Sequence, residues 1–126
     1  MSVYLDTHVV AWLYSGARGK LSKEAVRLIE TKQLLISPMV VLELRYLQQR
    51  KRVSSDPGAV MAHLSSRLGL QICHLPFSAT VQESLHISWT MDPFDVLIVG
   101  NAIANHKAQL ITADQHILTN YPQSVW

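Results

Sequence analysis

The stretch VYLDTHVVAWLYS, Val3 to Ser15, changes character in its middle. Val3 to Asp6 is a short β-rich run, the pattern of a buried strand. From His8 onward the apolar residues Val9, Trp12 and Leu13 fall at helical spacing. The same alternation continues along the chain. QLLIS (33–37), LQICHL (70–75) and AQLITAD (108–114) read as further strands, and SVW (124–126) as a short fifth. Between them lie helical periods. SKEAVRLIE starts at Ser22, a plausible cap, and puts Ala25, Leu28 and Ile29 on one face. Ser37-Pro38 opens a helix that runs to Arg50, with a hydroxyl at the cap and proline in the first turn. Residues 55–69, 78–89 and 92–106 complete the set. Strands alternating with helices predict an α/β fold, a mostly parallel sheet covered on both faces and wound with right-handed crossovers. In such sheets, sites form beyond the C-terminal ends of the strands.

Length and composition narrow the class. A chain of 126 residues, 48% of them apolar, suits one compact domain spanning 1–126. No apolar run approaches the roughly 20 residues of a membrane span. The start, MSVYLDTHVV, lacks the features of a signal peptide, and the lone Cys73 allows no internal disulfide, so a cytoplasmic protein with a buried, inert thiol is expected. The net charge of +2 is unevenly built. Five of the nine acids, Asp6, Glu43, Asp92, Asp95 and Asp114, lie in or beside apolar segments, which leaves four acids against eleven Lys and Arg elsewhere. A basic outer surface with one acidic spot is a surface that attracts polyanions.

Asp6 and Asp114 end strands, at what would be the same edge of a parallel sheet; each, taken singly, is explained as a helix cap. Glu43 resists that reading. It sits mid-helix on the face carrying Val40 and Leu47, where a carboxylate is costly unless something pairs with it. The segment DPFDVLIVGNAI, Asp92 to Ile103, offers two acids. Asp92 as cap and Pro93 as first helical residue are ordinary helix-start chemistry. Asp95 lies one turn before Ile98, Val99 and Ala102, at the rim of the buried side, so it reaches toward the sheet edge. Two like charges 4 Å apart repel by about 4 kcal/mol at an effective dielectric near 20. Converging acids therefore protonate or recruit a cation, and an all-oxygen site selects Mg²⁺ or Mn²⁺. The six histidines form no His-x₃₋₅-His pair, and His8 and His116 read as surface or capping residues.

VYLDTHVVAWL, SPMVVLEL, DPFDVLIVGNAI and LITAD, in this order and spacing from Val3 to about Ile117, resemble a PIN domain, and within that family the VapC-type toxin ribonucleases. The resemblance implies a three-layer α/β/α sandwich and metal-dependent endoribonuclease activity. By position, the family's four acids match Asp6, Glu43, Asp95 and Asp114, with Asp92 as a rival to Asp95 for the same role. Thr7 and Thr112 match small hydroxyl positions that orient ligands or water. Related chains often carry a basic residue after DPFD, where this one has Val96. The resemblance further implies an RNA substrate, a cognate antitoxin packing on the early helices near Trp12, Leu13, Tyr14 and Leu21, and a homodimer. Arg45, Arg50, Lys51 and Arg52 are the candidates for holding the RNA backbone. Two other readings compete with this one. A catalytically inactive RNA- or protein-binding module would use the acids only as caps and ion pairs. A phosphotransfer receiver needs paired acids at the first strand's end and a lysine after the last strand, and the chain has neither.

Overall fold

The computed structural model describes residues 1–126, from Met1 to Trp126. Five strands, β1 (Ser2–Leu5), β2 (Gln33–Ile36), β3 (Gln71–Ile72), β4 (Gln109–Ile111) and β5 (Ser124–Val125), form one sheet in the order β3-β2-β1-β4-β5. Every pairing is parallel. The helices are α1 (Thr7–Ser15), α2 (Lys23–Thr31), α3 (Pro38–Gln49), α4 (Pro57–Leu68), α5 (Phe77–Ser84), α6 (Pro93–Ala104) and α7 (Gln115–Asn120). Buried Val3, Tyr4, Leu5, Leu110 and Ile111 make β1 and β4 the centre of the core. That continuous apolar run is what a strand covered on both faces requires.

The topology decides where a site can form. From β1 the chain steps outward through β2 to β3, then returns across β1 to add β4 and β5 on its other side. Right-handed crossovers then place α1 to α4 on one face and α5 to α7 on the opposite one. The direction reverses between β1 and β4, and in α/β sheets such a switch point is where the crevice that holds a site forms, at the strands' C-terminal ends. The register aligns Leu5 with Ile111, and the Asp6 amide donates to the Ile111 carbonyl at 3.0 Å, so the residues that follow the two strands emerge side by side.

Local chemistry starts most of the helices. The side chains of Ser22, Ser37 and Asp92 cap α2, α3 and α6 as their positions predict, and Pro38 and Pro93 occupy first turns. Three expectations are corrected. The strand expected over 70–75 is paired only at Gln71–Ile72. The helix expected over 78–89 starts at Phe77 and stops at Ser84, whose hydroxyl donates to the Thr80 carbonyl at 2.7 Å. Ile87 and Trp89 reach the core from the turn that follows. Finally, α7 forms where no helix is expected.

Helix α6 packs closely on α5 because residue 100 is glycine. A Cβ there would collide with the Ser84 side chain and lie 3.1 Å from the Thr80 carbonyl. This fit holds the start of α6 in place over the crevice, with the Ser84 hydroxyl also reaching the Val96 carbonyl at 3.2 Å. No helix is long and apolar enough to cross a membrane.

Candidate functional site

The end of β1 delivers Asp6 into the crevice. It is 4% exposed and caps α1 through the Thr7 amide at 2.8 Å. Its other oxygen accepts a hydrogen bond of 2.7 Å from the hydroxyl of Thr112, the fully buried residue that follows β4. Thr112 Oγ1 in turn accepts the Asp114 amide at 3.0 Å. Asp114 caps α7, taking the His116 and Ile117 amides at 2.8 and 3.2 Å. Both strand-end acids are thus caps, as each alone would suggest, and one threonine couples them.

From the opposite side α3 contributes Glu43. Val40 and Leu44 are fully buried and anchor the helix on the core, which leaves Glu43 half-buried at the crevice. Its Oε1 accepts a hydrogen bond from the Thr7 hydroxyl. The two threonines singled out from the sequence therefore each hold a carboxylate of the set.

At the start of α6, Asp92 is exposed and its carboxylate caps the helix through the Phe94 amide at 2.9 Å. Asp95 is half-buried beyond it. Burial pushes the Asp95 carboxyl up to about 7, and the charges of Asp92, Asp6, Asp114 and Glu43 push in the same direction. Burial also raises Glu43, against the hydrogen bond from Thr7, with Asp6 and Asp92 adding to the rise. Asp95 feels all four of the other acids and Glu43 feels Asp6 and Asp92, and no cationic group lowers either of the two. The donors of the five acids are hard carboxylate oxygens with hydroxyls beside them, a set that fits a divalent metal ion. As they stand, no three of them are disposed to hold an ion.

The basic residues predicted to hold RNA divide. Arg45 bonds Gln48 at 2.7 Å, and Arg50 bonds the Tyr46 hydroxyl at 3.0 Å while lying over its ring; both neighbours are on the same helix. Lys51 is exposed in the turn after α3 with φ 57°. Only Arg52 lines a cavity that begins beside the acids.

His8 does more than a surface or capping residue would: its Nε2 accepts the Ala113 amide at 2.8 Å, and its Nδ1 lies 3.7 Å from Asp6 Oδ2. It ties α1 to the turn between β4 and α7. No local pattern announces this, because the two partners are 105 residues apart in sequence.

Comparison with known proteins agrees with this architecture. The PIN domain family model matches residues 3–121. The chain belongs to the PIN domain family. Three solved structures share its fold. VapBC2 from Rickettsia felis, bound to a DNA fragment from its promoter, is 17% identical with a TM-score of 0.66, covering 99% of this chain and 96% of that one. A toxin–antitoxin complex from Klebsiella pneumoniae is 19% identical with a TM-score of 0.66, covering 98% and 96%. VapBC-1 from nontypeable Haemophilus influenzae is 16% identical with a TM-score of 0.56, covering 99% and 97%. The search of curated proteins gave no match.

Proposed function

We propose that this PIN domain, one unit over residues 1–126, is a Mg²⁺- or Mn²⁺-dependent endoribonuclease and the VapC-like toxin of a toxin–antitoxin pair. The observation that carries the reading is the surplus of carboxylates at the β1–β4 switch point, where Asp95 is raised to about 7 by burial and by four other acids. A site of this kind is relieved by a hard dication.

Asp6 and Asp95 would hold the ion, with Glu43 and Asp114 acting through water or on a second ion. Asp92 remains the rival to Asp95; it caps α6, as Asp6 caps α1 and Asp114 caps α7. No three acids are disposed to ligate as they stand, so ligation of an ion would require their side chains to rotate. When bound, such an ion lowers the pKa of a water and offsets charge on the scissile phosphate. The chain's own contribution is orientation. Thr112 and the Thr7 amide fix the Asp6 carboxylate, and the Thr7 hydroxyl fixes Glu43. Val96, where related chains are basic, leaves the holding of RNA to residues elsewhere, Arg45, Arg50, Lys51 and Arg52 among them. Choice among RNAs follows shape and unpaired bases.

The similarity to VapBC complexes supports an antitoxin partner; a homodimer is part of the same proposal, and a cytoplasmic setting follows from that role. The test is cleavage of a mixed RNA pool with Mg²⁺, Mn²⁺ or chelator, with folded Asp6→Asn and Asp95→Asn beside the parent. Metal-dependent cleavage lost in both variants is the expected result. An active Asp95→Asn would transfer its role to Asp92. An inert parent whose melting temperature ignores metal would favour a binding module.

A further inference from the structure

A cleft of about 600 Å³ runs along α1, away from the acids. His8 stands at its acidic end, and Leu44, next to Glu43 in α3, lies in its floor. Its walls carry Trp12, Lys20, Arg52, Ser54 and Ser55, and not one of its lining residues is acidic. The volume falls within the ~300–1,000 Å³ of small-ligand sites. The Trp12 ring is half-buried against His8 and Trp126, at 5.0 and 5.8 Å between centroids, with the Lys20 ammonium 5.4 Å from the ring. Lys20 and Arg52 are exposed and make no ion pair; the Lys or Arg side chain that pairs with a carboxylate is Arg27, with Glu24.

We propose that this cleft is the subsite that holds single-stranded RNA beside the scissile phosphate, with a base against Trp12 and backbone phosphates on Lys20 and Arg52. The inference rests on the endoribonuclease reading above and adds to it where the substrate lies. Five carboxylates repel a polyanion; a bound dication would offset this at the scissile phosphate, and a cationic surface next to them offsets it along the flanking backbone. This cleft is cationic, free of acids, and begins at His8, two residues after Asp6. Its aromatic wall and paired hydroxyls suit a nucleotide, and stacking of a base on an aromatic ring tolerates any sequence. An antitoxin segment on Trp12 and Tyr14 would overlap this cleft and compete with RNA for it; an apolar segment would leave the Arg52 guanidinium unanswered.

The deciding experiment is steady-state cleavage of a labelled single-stranded oligoribonucleotide with Mn²⁺ over a range of KCl. The parent is compared with the double variant Lys20→Gln/Arg52→Gln, with Trp12→Leu, and with Lys23→Gln as a charge control on exposed α2. The double variant should raise KM about tenfold with kcat nearly unchanged. Its dependence of log kcat/KM on log salt should weaken by about 1.4, two single-strand phosphate contacts at about 0.7 each. Trp12→Leu should raise KM and leave that slope alone, and the control should match the parent. Lys20 and Arg52 are exposed, so the double variant decides even if Trp12→Leu folds poorly. Unchanged KM and slope in a double variant whose parent cleaves would overturn the subsite and leave the nuclease standing. A parent that cleaves no RNA would overturn both. Variants that cleave like the parent but escape inhibition by the cognate antitoxin would overturn the RNA subsite and give the cleft to a protein.

Discussion

At the first turn of α6, Asp95 stands among four other carboxylates with no cation to balance them, and each of those neighbours raises its proton affinity. Nearer the end of the same helix, Asn101 and Asn105 enter a buried network in which donors and acceptors match. Asn105 Nδ2 donates to the Tyr4 hydroxyl at 3.0 Å, and that hydroxyl donates to Cys73 Sγ at 3.0 Å. Asn101 Nδ2 donates to the same sulfur at 3.4 Å. No buried side-chain polar atom in the protein lacks a partner. The fold therefore satisfies polar groups where only stability is at stake. The imbalance at the crevice is local, and it carries a stability cost that a structural role does not explain.

The sharpest way to break this contrast is Asp95→Asn. It removes one charge from the unbalanced cluster and leaves the balanced one untouched. We expect cleavage of RNA to fall on the order of 100-fold or more, the scale of losing one group aimed at charge in the transition state. Without divalent ions the melting temperature should rise above the parent's, since the repulsion is relieved. A variant that lost both activity and stability would make Asp95 a structural residue after all.

Tyr4→Phe tests the other half. Tyr4 is fully buried, and burial followed by its bond to Cys73 holds its phenol well above the usual range. Removing the hydroxyl strands the Asn105 amide and one contact to the sulfur, at a cost of about 1–3 kcal/mol in stability. Denaturant unfolding should show that loss, while the rise in melting temperature with Mn²⁺ stays as in the parent. A lost metal response would join the two clusters into one functional unit.

A smaller effect appears on titration. The folded-state value of Asp95, about 7, lies above its ordinary 3.8, so the folded protein binds this proton more tightly than the unfolded chain does. Its contribution to stability is complete below about 4 and is lost as pH rises toward 7. Glu43 shifts in the same direction. In chelator, the melting temperature should therefore fall between pH 4 and pH 8. Asp95→Asn should flatten that fall, and Mn²⁺ at pH 8 should reverse it. A flat profile in the parent would mean that the carboxylates do not repel as the geometry implies.

How much of this was legible beforehand follows from the range of each interaction. Strand β1 and helix α1 declare themselves within thirteen residues, because apolar period and cap chemistry are local. Asp6, Glu43, Asp95 and Asp114 stood out for a similar reason: each interrupts an apolar pattern. Helix α7 escaped because six residues with Ile117 as the single buried side chain carry too little period. The early end of α5 escaped because the Thr80–Ser84 bond and the turn that brings Trp89 inward leave the apolar spacing intact. The Tyr4–Cys73–Asn101 network joins three elements, and nothing in any one of them foretells it.

His8 belongs to this last kind, and it offers the finest test of the contrast, since it touches the acid cluster and yet bonds like a structural residue. Nε2 accepts the Ala113 amide at 2.8 Å, so the ring proton sits on Nδ1, facing Asp6 Oδ2 at 3.7 Å. The first contact is a hydrogen bond and the second is too long to be one. Glutamine places its amide about where Nε2 lies, and asparagine about where Nδ1 lies. His8→Gln should then keep the bond that pins the β4–α7 turn, and behave nearly as the parent. His8→Asn should lose it, cost about 1 kcal/mol in stability, and lower kcat/KM only severalfold through a looser Asp114. The reverse order, with asparagine tolerated and glutamine impaired, would mean that His8 acts by steering the Asp6 carboxylate, and would move it from the balanced class of polar groups into the unbalanced one.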